Sequence, residues 1–431
     1  MSGQEFTLPK DTHTVALGVG DLNGIMRGKR VPASHWPKTC ESGNALSLAL
    51  FAINMNSDVW DTPYANMGNG YPDMHIFPIS EPVSLPWEPG VAIAMARAQG
   101  MDHKPVPIDP RNALIAQVER AAAMGYEVQT GTELEFYLLD PKTRRPVDRG
   151  NQVYTLSRAA EIEHVIGPIR RQLNEIGIPI EQSNPEYAPG QVEVNIRYDE
   201  ALLAADRVVM FRSLVKQLAA AHGYLATFMA KPFADQSGSG FHVHYSLRKN
   251  GQNAFAENGK LNQTGRHFVA GLMDRMAETT LCGSSTPNAF RRIRPDTFCP
   301  INVTWGPDNR TVAVRIVEGE DAAVRVEKRD AAADCNPYIL LATGIASGLD
   351  GMEKGQEPPA MTTANAYEDE HSQPIPNNID DAIRAARASE FMKAVLGADL
   401  HELYVQQSEQ EVAFFRDQIS EVETDRYIEC L

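Results

Sequence analysis

Along this chain the apolar positions recur with two different periods, and the switches between them mark out the elements. Strand side chains alternate between faces, whereas helical side chains return every three or four positions. Period two appears in "HTVALGVG", where an Asn23-Gly24 turn and a basic run follow, the pattern of a hairpin. It returns in "EVQTGTELEFYLLD", "EYAPGQVEVNI", "FHVHYSL" and three strand-like pieces, "FCPINVTW", "RTVAVRIV" and "AVRVEKRD". A helix begins at Asp109 and Pro110, a good cap and first-turn pair. It aligns Leu114, Val118 and Ala122 on one face and stops at Gly125. Further helices are predicted over 156–176, 203–222 and 264–279. From Asn336 onward the pattern is mostly helical, apart from a Pro-rich polar loop near 356–377. Residues 1–100 read as strands and turns, and a break near residue 106 divides the chain into 1–105 and 106–431. Strands and helices do not alternate regularly, so the class is α+β.

The strand periodicity also sorts the chemistry. Glu133 and Glu135 share a face opposite Leu134, Phe136 and Leu138. Gln191, Glu193 and Asn195 oppose Val192, Val194 and Ile196, and His242, His244 and Ser246 oppose Phe241, Val243 and Tyr245. Arg315 stands opposite Val314 and Ile316, and Arg325, Glu327 and Arg329 share a face. A solvated polar face is the ordinary reading of any one such strand. Together these faces carry Glu, His and Arg with almost no Lys, and paired carboxylates repel unless a cation lies between them. Carboxylates with an imidazole suit Mg²⁺ or Mn²⁺, and gathered arginines suit phosphate and carboxylate groups. Metal with arginines is the equipment of phosphoryl transfer. No Walker A sequence and no GxGxxG opening a helix is present, so a nucleotide site has to be built from strand faces.

Composition narrows the partners. The chain has 431 residues, enough for two or three domains, and its 56 acids against 40 bases give a net charge of −16. That surface repels phosphate backbones, so a nucleic-acid partner is not expected. The five cysteines are scattered with no CxxC, which predicts reduced thiols in a cytoplasm. The opening "MSGQEFTLPKDTHTV" lacks an apolar h-region and no run of eighteen apolar residues occurs, so neither a secretory leader nor a membrane helix is expected.

Six stretches in series, "ELEFYLLD", "EYAPGQVEVNI", "GSGFHVHYSL", "NAFRRIRP", "WGPDNRTVAVRI" and "VEKRDAAADCNPYILLATGIASGLDGM", give the chain a resemblance to the glutamine synthetase superfamily over nearly its whole length. "DLNGIMRGKRVP" and "ATFMAKPF" resemble the branch that makes γ-glutamyl amides from amines, including γ-glutamylpolyamine and γ-glutamylmethylamide synthetases. The resemblance implies an N-terminal β-grasp domain and a catalytic domain whose curved antiparallel sheet forms a half-barrel. It implies a homo-oligomer, a dodecamer of two stacked hexameric rings with active sites between subunits. It implies one metal site at Glu135, Glu186 and Glu193 and a second at Glu133, His242 and Glu327, for two or three Mg²⁺ or Mn²⁺ ions, with ATP as co-substrate. His244 and Ser246 match nucleotide contacts. Arg310, Arg315 and Arg325 match phosphate-binding arginines. Gly238, Arg292 and Arg329 match glutamate-binding positions, with Arg292, Arg310 and Arg329 acting in catalysis. The activity implied joins the γ-carboxyl of L-glutamate to an amine through γ-glutamyl phosphate, releasing ADP and phosphate.

The departures bear on the amine. Ser47 falls where ammonia-using relatives carry an aspartate, Phe298 where they carry a mobile glutamate, and Ser237 replaces an asparagine before the glycine hinge. An aromatic packs an alkyl group or offers a cation–π face, so a primary amine of methylamine or polyamine type is expected rather than ammonia. A glutamine synthetase proper is the alternative, and a catalytically silent relative the remote one. Glu318, Glu320 and Asp321 are candidates for holding the far end of a diamine, with an exposed acidic turn as the favoured reading. Tyr367 lies where some relatives carry a nucleotidylated tyrosine, and an ordinary loop tyrosine is favoured there.

Overall fold

The computed structural model describes residues 6–147 and 153–430. The N-terminal part folds as a small mixed sheet of six strands: β1 (Thr14–Gly20), β2 (Met26–Pro32), β3 (Asn44–Ser47), β4 (Asp73–Pro78), β5 (Val83–Ser84) and β6 (Val91–Gly100), in the order β2-β1-β6-β4-β3 with β5 beside β6. The predicted hairpin is present. Asp21 Oδ1 accepts from the Asn23 and Ile25 amides, and Gly24 takes the left-handed conformation the turn needs (φ 69°). A short helix, α1 (Trp36–Ser42), interrupts what the sequence pattern reads as strands and turns.

The second sheet has nine strands: β7 (Glu127–Leu139), β8 (Ile180–Pro185), β9 (Gln191–Glu200), β10 (Leu225–Thr227), β11 (Gly240–Lys249), β12 (Gln252–Asn253) and, after the small hairpin of β13 (Ala256–Glu257) and β14 (Lys260–Leu261), β15 (Trp305–Pro307), β16 (Val314–Val317) and β17 (Arg325–Ala332). Its order is β15-β16-β17-β11-β7-β9-β8, antiparallel except for the β15/β16 pair, and it is large and curved. Of "FCPINVTW" only the end is strand; the earlier residues run as a loop held to 373–375 by two backbone bonds.

Helices close the apolar side. α2 (Pro110–Ala123) starts as predicted, with Asp109 accepting from the Arg111 amide at 2.9 Å. The helix expected over 156–176 is two, α3 (Leu156–Glu161) and α4 (Glu163–Glu175), broken at Ile162. α4 buries Val165, Ile166, Ile169 and Leu173 while α3 buries nothing, so only the second follows the core. α5 (Ala201–Ala221) begins slightly before its predicted start, and α6 (Gln263–Gly283) runs slightly past its predicted end. α7 (Pro337–Lys354) is apolar nearly all round and buried nearly all round. Its cap, Asn336, also donates to the carbonyls of Asp21 and Leu22, tying the N-terminal hairpin to the catalytic core. One apolar core runs from Phe6 to Val412. No disulfide forms among the described residues, and none of their helices is long and apolar enough to cross a membrane.

Candidate active site

Strand register assembles the polar faces. On β7 and β11, Glu133 stands opposite His242; on β7 and β9, Glu135 stands opposite Glu193; on β11 and β17, His244 stands opposite Glu327; and on β16, Arg315 faces Glu327. Five strands thus bring carboxylates, imidazoles and a guanidinium onto one surface, while Leu134, Phe136, Phe241 and Val243 go into the core behind it.

Glu133 is the hub. Its two oxygens lie 3.3 Å from His242 Nδ1 and 2.9 Å from His244 Nε2. Burial pushes its carboxyl up, but the two imidazole hydrogen bonds outweigh that and hold it well below the usual carboxylate range. Glu327 is almost fully buried. Burial raises its carboxyl, yet the Arg329 charge and the nearby histidines bring it down to about 2. It accepts from Arg315 Nη1 at 3.0 Å and from Arg329 Nη1. Glu193 behaves oppositely. Burial and then the charges of Glu133, Glu135, Glu186 and Glu327 push it up to about 9. Glu186, just past β8, is pushed up to about 7 by burial and by Glu135, with Asn184 and the Tyr187 amide donating to it. A surplus of carboxylates that burial forces toward protonation is the donor set a hard divalent cation neutralises.

The ligand-capable atoms group as Glu133–Glu193–His242 and as Glu133–His244–Glu327, each set lying within 4.8 Å. Glu133 belongs to both, and His244 stands with the possible ligands. Glu135 and Glu186 stand outside these two groups. Glu135 Oε2 instead accepts from the Gly240 amide at 2.8 Å and from Gln191 Nε2 at 3.1 Å, and the same Gln191 amide reaches the Gly238 carbonyl.

The arginines surround this centre. Arg292 is buried, donating to the carbonyls of Asp330 and Arg329 and lying flat against Gly238, where a methyl group would stand 2.6 Å from its Cγ. Glycine at 238 is therefore a condition of Arg292's position. Arg329 and Arg315 each keep a buried Nε–H without a partner among the described residues. Arg310 is exposed, with its charge acting on Glu186. Arg325 donates from Nε to His244 Nδ1 at 3.1 Å.

His244, Ser246 and Arg325 line a cavity of about 510 Å³ that opens from Glu133 toward Tyr198, Arg248 and Asn253. Sequence reasoning missed Arg248 and Tyr198. Arg248 was legible, being two residues beyond Ser246 on the same face. Tyr198 was not. Between Thr130 and Thr132 the β7/β9 register slips, so that Arg197 and Tyr198 together oppose Gly131, and this bulge turns Tyr198 onto the cavity. There its ring lies 5.8 Å beneath the Arg248 guanidinium.

The departures from the family pattern have local roles. Ser47 caps the turn that follows β3, accepting from the Ala49 amide. Phe298 sits on a loop, more than half exposed, in the left-handed region (φ 57°), as does Asp296 (φ 59°). Bulky residues rarely take that conformation without support from their surroundings. Some of that support comes from Tyr367, whose hydroxyl donates to the Cys299 carbonyl at 3.1 Å. Glu318, Glu320 and Asp321 are exposed. Glu318 pairs with Lys260, and Asp321 accepts from the Gly259 amide, as an ordinary acidic turn does.

Comparison with known proteins agrees with this geometry. The family described as "Glutamine synthetase, catalytic domain" matches residues 107–427. Over 99% of its length the chain is 32% identical to a glutamate–isopropylamine ligase from a Pseudomonas species, spanning 97% of that relative. It is also 32% identical to the gamma-glutamylethanolamide synthetase GlnA4 of Streptomyces coelicolor, over 97% of this chain and 93% of the relative. The solved structure of a GmaS/ADP complex superposes with a TM-score of 0.86 at 30% identity, covering 98% of both chains. With strand faces, register and core all agreeing, the chain belongs to the glutamine synthetase family, as a carbon–nitrogen ligase of its glutamate–amine ligase branch.

Proposed function

We propose that the protein joins the γ-carboxyl of L-glutamate to a small primary amine, using ATP and passing through γ-glutamyl phosphate, with release of ADP and phosphate. What carries this reading is the carboxylate–imidazole face together with Phe298, which the family resemblance aligns with a carboxylate that ammonia-using enzymes need. Two relatives, one named for ligating isopropylamine and one for making gamma-glutamylethanolamide, support the choice of an amine.

A carboxylate is a poor electrophile, and phosphorylation supplies it with a leaving group. In this reading Glu133, Glu193, His242 and Glu327, with Glu135 and Glu186 beside them, hold Mg²⁺ or Mn²⁺, which when bound neutralises the β- and γ-phosphates of ATP. His244 and Ser246 contact the nucleotide in the cavity that ends at Tyr198 and Arg248. Arg310, Arg315 and Arg325 steady phosphate oxygens. Gly238 leaves room for glutamate, and Arg292 and Arg329 grip its carboxylate and the acyl phosphate. Phe298 shields the attacking amine from water. The N-terminal residues 1–105 and the catalytic residues 106–431 act together in a dodecamer, the sheet of one subunit closing the site of the next.

The test is a panel of ammonia, methylamine, ethylamine, isopropylamine, ethanolamine and putrescine at saturating ATP and glutamate. The preferred amine is expected to exceed ammonia by at least about tenfold in kcat/KM, roughly 1.4 kcal/mol of differential transition-state binding. Phe298→Glu shrinks that ratio, chiefly by losing amine activity. Equal use of ammonia and every amine makes the protein a divergent glutamine synthetase instead.

The charge state of the carboxylate cluster adds a pH dependence. Glu193 and Glu186 have acids raised to about 9 and about 7, so the folded protein without metal holds protons that an unfolded chain, with carboxyls near 4.5, has released. Its stability from these groups therefore falls as pH rises from 4.5 toward 9. Cations bind only the deprotonated form, so Mg²⁺ uptake near neutral pH releases protons and apparent affinity climbs up to about pH 9. Titration calorimetry in buffers of different ionisation enthalpy reads the proton release. A Mg²⁺ affinity that does not change between pH 7 and pH 9 would remove Glu193 from the cation site.

A further inference from the structure

A second cavity, of about 450 Å³, lies between the β1–β2 turn, α5 and the chain that follows β10. It shares no lining residue with the first. Arg212 places it on the other side of the sheet. Its guanidinium sits 5.7 Å over the Phe241 ring, and Phe241 points away from the His242 face.

Two groups on its walls lack their full complement of partners. Arg212 is only 8% exposed; Nη2 donates to the Cys335 carbonyl at 2.7 Å, but Nε–H has no partner among the described residues. Lys216, one turn further along α5, adds a second positive charge at the rim. Asp334, half-buried on the wall, presents a carboxylate whose Oδ1 has no partner among the described residues, its other oxygen accepting from Thr286. No ion pair joins Arg212 to Asp334 among the described residues, although both line the same space. Leaving a buried guanidinium nitrogen and a buried carboxylate oxygen unmatched costs free energy that a ligand with complementary charges returns. The rest of the wall is apolar and adaptable, with Met26, Met55 and Met229 beside Phe228 and Val209.

We propose that this cavity binds an apolar α-amino acid as a zwitterion. The α-carboxylate meets Arg212 and Lys216, the α-ammonium meets the Asp334 carboxylate, and the side chain rests on the three methionines. The assignment goes beyond the ligase reading and does not depend on which amine that reaction uses. A cavity of this size lies within the usual range for small-molecule sites.

The test is titration calorimetry with L-leucine on the full-length protein. The expected result is saturable binding, with 4-methylpentanoate, which lacks the amino group, at least tenfold weaker. Arg212→Gln is expected to weaken leucine at least tenfold, and Asp334→Asn to erase its advantage over 4-methylpentanoate. Because either buried change is able to disturb folding, Ser213→Phe, at a half-buried position on the cavity wall, serves as a second variant. It fills the space and is expected to abolish leucine binding while amide formation continues. Glu327→Gln, altered only in the catalytic site, is expected to bind leucine as the unmodified protein does. Absence of leucine binding overturns the proposal, as does binding that survives both Arg212→Gln and Ser213→Phe, or binding lost in Glu327→Gln alone.

Discussion

Replacing Glu327 with glutamine is expected to reduce ATP-dependent amide formation by roughly 10²–10⁴-fold, or about 3–5 kcal/mol of transition-state stabilisation, while the protein stays folded. Glu327 is buried between Arg315, Arg329 and the two histidines, and it completes the group formed with Glu133 and His244. The amide retains the shape and one acceptor oxygen but loses the charge a cation needs. Alanine is the harsher change. It leaves the buried Arg329 guanidinium without its carboxylate, and breaking a buried pair in that way costs about 3–5 kcal/mol of stability. The informative pair of measurements is therefore the rate of the glutamine variant beside its thermal midpoint. A Glu327→Gln protein with unaltered melting and unaltered rate at ordinary Mg²⁺ would remove Glu327 from the cation site.

Arg292→Ala should weaken the use of glutamate far more than the binding of ATP. Its guanidinium is buried against Gly238 and held by two backbone carbonyls, at a distance from the cavity that His244, Ser246 and Arg325 line. Loss of a buried charged partner to the substrate carboxylate costs about 2–4 kcal/mol, roughly 30- to 900-fold in kcat/KM for glutamate. A general loosening of the site would raise KM for both substrates together. Unchanged kcat and KM for glutamate, or an equal rise in both KM values, refutes the assignment.

The two residues differ in how openly the sequence announces them. Glu327 is visible because β17 alternates, with Arg325, Glu327 and Arg329 on one face and Val326 on the other. Arg292 has no such signal. It follows a short 3-10 turn at Ala289–Arg291, outside any periodic segment, and was assigned from the family resemblance alone. The α+β class, the caps at Asp109 and Asn336, the Asn23-Gly24 hairpin and the polar strand faces all follow from local chemistry. Each depends on residues within a few positions of one another.

What the sequence by itself determined, then, is which side chains share a face; the tertiary structure decided which faces meet and in what register. Glu133 and His242 are brought opposite each other by pairing across 109 positions, and His242 and Glu327 meet only because β11 lies beside β17. Local periodicity carries no information about that pairing, because a strand sliding by two residues keeps its apolar face inward and still changes every partner. The same holds for Glu133 serving both carboxylate–imidazole groups, for the bulge that turns Tyr198 toward the cavity, and for the left-handed backbone of Phe298. It holds also for Arg212 and Asp334, which lie 122 positions apart and become neighbours of one cavity only when α5 packs beneath the sheet. Contacts between distant segments form after the chain closes long loops, and only the packed core selects among the registers that local patterns allow.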